Sequence, residues 1–104
     1  MSTTTTVQNQ APQATGMIKY KMRLFIAGKE PNSMIARKNI NEICSEHLAG
    51  KFELKVIDVF EDFSMAVDEN ILVTPALLID KPKKIKIFGN LQDKNKVLSA
   101  LEAT

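Results

Sequence analysis

The sequence predicts an α/β domain in the order βαβ, then α, then ββα. Two apolar strand patterns, Lys19–Ala27 and Phe52–Phe60, flank a segment of helical periodicity. A third apolar run, Ala76-Leu77-Leu78-Ile79, follows a Thr-Pro loop, and the alternating Lys84–Phe88 segment leads into a last amphipathic stretch. Strand, long helical crossover, strand is the order of a parallel pair joined right-handed.

In the first strand Tyr20, Met22, Leu24 and Ile26 alternate with Lys19, Lys21 and Arg23. Phe25 and Ala27 then make its far end apolar on both faces, as a central strand requires. Gly28 breaks it, and Pro31 with Asn32-Ser33 reads as a turn handing over to a helix N-cap. Ala36, Ile40, Ile43, Cys44 and His47 recur at helical spacing and are expected to face inward, until Gly50 ends the helix near Leu48. In the second strand Phe52, Leu54, Val56 and Asp58 share one face, and Ile57 and Val59 the other. Glu61-Asp62 is expected to cap a short helix running to about Glu69, with Phe63, Ala66 and Val67 inward. Ile71–Pro75 reads as a loop and Asp80-Lys81-Pro82-Lys83 as a turn. Lys84–Phe88 reads as an edge strand closed by Gly89-Asn90, and Asp93 as the cap of a final helix bearing Val97, Leu98 and Leu101.

This is a thioredoxin-like plan without its redox chemistry. Where such a fold carries its paired cysteines, the chain reads Gly28-Lys29-Glu30-Pro31-Asn32-Ser33, with no sulfur. Pro75 stands where the fold places its cis-proline. The expectation moves from an enzyme to a binding protein.

Composition excludes several other classes. Residues 1–17 are mostly Thr, Gln, Ala and other small or polar types, too poor in apolar surface to offset ordering entropy, and are expected to form a flexible tail ahead of one domain at 18–104. That tail lacks the charged start and apolar run of a signal peptide. No stretch reaches the roughly 20 apolar residues that span a bilayer. A cytoplasmic protein with no membrane contact is the expectation. A net charge of +2, no Trp and one Tyr argue against a nucleic-acid partner. The single cysteine, Cys44, excludes an internal disulfide and any zinc site built on several cysteines, and no cofactor motif is present.

Four segments in order resemble the KaiB family of cyanobacterial clock proteins: Ala27–Ser33 (AGKEPNS), Leu54–Val59 (LKVIDV), Ile71-Leu72 with Thr74-Pro75, and Gly89 and Leu91 with Lys96-Val97-Leu98. The resemblance covers about Tyr20 to Leu101. It implies a non-catalytic partner of KaiC, a hexameric ATPase. It also implies two folds for one chain: a self-associated ground state, dimer or tetramer, refolded in its C-terminal half, and a thioredoxin-like state that binds the ATPase. Histidine kinases or other regulators are further implied partners. Ile35 stands where the family commonly has Arg, Asn90 where it has Asp, and the Lys-rich turn at 80–84 replaces a proline-rich one. These departures point to a homologue outside the cyanobacterial clock, serving clock-like or stress-adaptation signalling. The alternative is a sensor or adaptor module similar to the input domain of the histidine kinase SasA, without a KaiC-clock role.

Candidate sites follow from both lines. Lys81, Lys83, Lys84 and Lys86 are the densest positive cluster, either guarding a sheet edge or docking an acidic protein surface. On the docking reading, Lys84→Glu is expected to slow association and leave thermal stability unchanged. Tyr20, Gly89 and Asn90 are candidate fold-switch hinges on the resemblance, Gly89 and Asn90 also because they tolerate positive φ. Cys44 and His47 are three apart and share a helix face, at best half a metal site, so both read as core. The turn at Gly28–Ser33 reads as turn and cap, with anion binding the alternative. Asp58 reads as a structural, hydrogen-bonded carboxylate.

Overall fold

The computed structural model describes residues 18–102, so the expected tail at 1–17 lies outside the described residues. The elements run β1 (Tyr20–Ile26), α1 (Pro31–His47), β2 (Phe52–Asp58), α2 (Phe63–Asp68), β3 (Ala76–Lys81), β4 (Ile85–Phe88) and α3 (Lys94–Glu102). The order is the one the apolar patterns dictate. The sheet is β2-β1-β3-β4, with β1 parallel to β2 and antiparallel to β3, and β3 antiparallel to β4.

One sheet face, with Met22, Leu24, Ile26, Leu77, Ile79 and Ile87, packs under α1 and α3 through Ala36, Ile40, Ile43, Cys44, Val97 and Leu101. The other face buries Phe25, Ile57, Ala76 and Leu78 beneath Ala66 of α2 and Ile71 of the following loop. Six residues of α2 cover only part of that face.

Helix α1 starts earlier than the sequence reading places it. Pro31 is its first residue, where a missing N–H costs nothing, and Glu30 is the cap, its carboxylate accepting from Ser33 N at 2.9 Å. Ser33 is no cap because its hydroxyl is spent elsewhere. It is fully buried and its Oγ accepts from Ala27 N at 3.1 Å, tying the helix to the end of β1. Ser33→Ala strands that partly buried N–H and is expected to cost about 1–3 kcal/mol by urea unfolding.

Three inward assignments are corrected. His47 is exposed, because Leu48 takes the last inward position at the helix end. Phe63 and Val67 are exposed too. Asp62 caps α2 through Met65 N, and this phase turns Met65 and Ala66 inward. Ile71, held by its N–H to Ala66 O at 2.8 Å, fills the place expected for Val67.

Candidate functional site

The topology gathers the C-terminal ends of β1, β2 and β4 and the N-terminal end of β3 at one end of the sheet. Asp58 organises the loops there. Its Oδ1 accepts from Gly28 N at 3.1 Å and from Phe60 N at 2.9 Å, fixing the β1–α1 and β2–α2 turns against each other. Gly28 has φ +55, and a Cβ built on it meets the Phe60 ring at 3.4 Å. A side chain at 28 is therefore strained in backbone and crowds Phe60.

The loops and element ends here carry apolar side chains that face solvent. Leu72 is 87% and Phe60 77% exposed, and Phe63, Val73, Phe88, Ile35 and Met34 are exposed with them. Leu72 and Val73 precede Thr74 and Pro75, whose peptide bond is cis. Single exposed apolar residues are ordinary, but a group gathered at one end of a small domain marks an interaction surface. The sequence reading missed this group by sending Phe63 inward. The available signal was Leu72-Val73, two large apolar residues in a segment read as loop.

The helix N-terminus at this end already holds an anion of its own. The Glu30 carboxyl, accepting N–H bonds from Ser33 and Asn32, sits below its ordinary value, so these two donors are already engaged within the chain. Cys44, further along α1, is buried, and burial pushes its thiol up to about 12. With His47 turned to solvent the two share no ligand, and among the described residues no cluster of three or more His, Cys, Asp or Glu is placed to hold a metal. Native protein at pH 8 is expected to resist iodoacetamide, with Cys44 alkylated only after urea is added; rapid labelling of folded protein would contradict the burial.

Of the hinge candidates, Gly89 and Asn90 are adjacent and Tyr20 lies apart. Gly89 lies at the apolar end with φ +108, its N–H bonded to Pro75 O at 3.0 Å. Asn90 beside it ties β4 to α1: its carbonyl accepts from Asn39 Nδ2 at 2.9 Å and its amide reaches Asn32 Oδ1 at 3.4 Å. Tyr20 is at the opposite end of β1, half-buried against the main core beneath the Lys19 ammonium, 5.7 Å from its ring.

The lysine cluster lies mainly away from the apolar end, on the β3–β4 turn and the edge strand. Lys81, Lys83, Lys84 and Lys86 are all exposed. Lys84, however, contacts Glu69 at 3.1 Å, and Glu69 also pairs with Arg23 at 2.8 Å. Lys84→Glu therefore breaks an internal ion pair and sets a carboxylate beside Glu69, so the expected unchanged stability is corrected. Lys83 carries the charge test instead.

The comparisons agree with this architecture. The KaiB domain pattern matches residues 23–103. The circadian clock oscillator protein KaiB of Cyanothece sp. is 40% identical over 84 residues, covering 80% of each chain. That of Trichodesmium erythraeum is also 40% identical over 84 residues, covering 80% of this chain and 81% of the relative. Among solved structures, the N-terminal domain of Synechococcus elongatus SasA superposes with a TM-score of 0.69 at 24% identity, covering 90% of this chain and 92% of that one. Mitochondrial thioredoxin 3 of Saccharomyces cerevisiae reaches the same TM-score of 0.69 at 13% identity, covering 84% and 80% of the two chains. The thioredoxin-like likeness gives the fold and the sequence match gives the lineage: this chain belongs to the KaiB family of clock proteins.

Proposed function

We propose that this chain is a non-catalytic regulator that docks its apolar end on a KaiC-type hexameric ATPase, in clock-like or stress-adaptation signalling in the cytoplasm. The observation that carries the reading is the group of solvent-facing apolar side chains, led by Phe60, Phe63, Leu72 and Val73, around a helix start without sulfur. Such a surface gains free energy by burial against a partner, while the only thiol is buried away from it. Self-association as a dimer or tetramer belongs to the same reading, since a free pool must cover or tolerate that surface.

Co-sedimentation with a KaiC-type ATPase, with and without ATP, tests it. A nucleotide-dependent complex is expected, together with no insulin reduction by the wild type or by Cys44→Ser. Absence of the complex in both nucleotide states, or turnover of a dithiol substrate, overturns the reading. The second reading, an adaptor resembling the SasA input domain, is favoured by its near-complete coverage in the structural match. On that reading the chain has no KaiC-clock role, and co-sedimentation finds no complex with the ATPase in either nucleotide state.

A further inference from the structure

We propose that the half of the sheet face left uncovered by α2 is a second docking surface, which takes an acidic segment of a partner protein. This surface includes Lys21 and Arg23 of β1, Glu53 and Lys55 of β2, and Asp80 and Lys81 of β3, bordering an open groove of about 400 Å³. It lies toward the start of β1, away from the apolar end, and does not rest on the ATPase reading.

The charges on this surface are arranged at the expense of the fold. Arg23 stands opposite Lys55, and Lys21 opposite Lys81 beyond a register shift that leaves Asp80 without a cross-strand partner. Like charges directly across strands destabilise a sheet. Arg23 is relieved, because its guanidinium bonds Asp80 at 2.9 and 2.8 Å and Glu69 at 2.8 Å. Lys21, Lys55 and Lys81 form no ion pair within 4.0 Å among the described residues; Glu53, beside Lys21 in the register, lowers the local charge, and Asp80 is engaged by Arg23. A groove that holds a positive excess against its own stability is complementary to an anion supplied from outside.

The chemistry of the lining selects the kind of anion. Among the described residues no aromatic side chain borders the groove, so a nucleobase has nothing there to stack on. Glu53 and Asp80 in the lining repel a dense polyanion and tolerate spaced carboxylates. Acidic residues at alternate positions of an extended segment recur every ~7 Å, the same step that separates Lys21 from Arg23 and Glu53 from Lys55.

Titration of ¹⁵N-labelled protein with a synthetic peptide alternating Glu and Ser tests the proposal. Amide shifts are expected to centre on Lys21, Lys55 and Lys81, and binding to weaken roughly tenfold when salt is raised to about 0.5 M. Lys55→Glu with Lys81→Glu is expected to weaken binding at least about tenfold and to hold or raise Tm, since two like-charge oppositions become attractive. Shifts confined to the Lys83–Lys86 hairpin, or tighter binding of inorganic polyphosphate or oligo-dT than of the peptide, would overturn it. So would a double variant that melts lower yet binds unchanged.

Discussion

Arg23→Met is expected to lower the stability of the domain by about 2–3 kcal/mol, read as a shift in the urea midpoint at constant m. The Arg23 side chain is only 19% exposed; its Nε and Nη2 make a two-pronged contact with Asp80, and the same Nη2 also donates to Glu69. Three elements meet there: β1, the end of α2, and the end of β3. Through Glu69 the network extends to Lys84 on the β3–β4 turn. Methionine keeps much of the apolar stem and leaves Asp80 and Glu69, two mostly covered carboxylates, with one lysine between them. Arg23→Lys restores the charge but not the forked geometry, and is expected to recover about half of the loss. The exposed Lys38–Glu42 pair at 3.9 Å is the internal control, and Lys38→Ala is expected to change stability by less than about 0.5 kcal/mol. The network also sets an acid limb. Bonds from Arg23 and then Lys84 hold the Glu69 carboxyl below its ordinary value of 4.5. A lowered folded value means that the contribution is complete above the unfolded value and is lost as pH falls through the folded one. Wild-type Tm should therefore fall below about pH 4.5, and Arg23→Met should show a shallower fall. An equal slope in both proteins would remove Glu69 from this role.

The strand order and main core were legible in the sequence because they depend on patterns that one residue cannot upset. Tyr20–Ala27 carries strand alternation that turns apolar on both faces, and the observed β1 is central, buried at Met22 and from Leu24 to Ile26. Positions set by a single local contact were not legible. The start of α1 depends on whether Glu30 or Ser33 supplies the cap, and the partly buried bond from Ala27 N to Ser33 Oγ decides it. The phase of α2 depends on Asp62, and a phase error in so short a helix sends Phe63 to the wrong side. The groove was illegible for another reason. Its cross-strand like charges exist only once the register is known, with Arg23 opposite Lys55 and Lys21 opposite Lys81.

Phe60→Ser combined with Leu72→Asp is expected to reduce affinity for a KaiC-type ATPase by at least about 100-fold, the equivalent of roughly 3 kcal/mol. Both side chains are largely in water in the free chain, so each has most of its apolar surface left to bury on docking, worth about 1.5–3 kcal/mol apiece before the costs of association. The same exposure predicts that the double variant keeps its Tm. Replacing side chains already in solvent alters the folded state by about 0.5 kcal/mol or less. Retained stability with lost binding separates a docking surface from a folding defect. Lys83→Glu is the contrasting variant, since its effect should be confined to a few-fold change in association rate at low salt and vanish as salt is raised. If Lys83→Glu abolished binding at every ionic strength while the Phe60 and Leu72 variant bound normally, docking would lie on the lysine edge rather than on the apolar end. The two variants divide the surface because the topology separates them: Phe60 and Leu72 lie where β2 ends and β3 is about to begin, whereas Lys83 lies on the turn between the other end of β3 and β4.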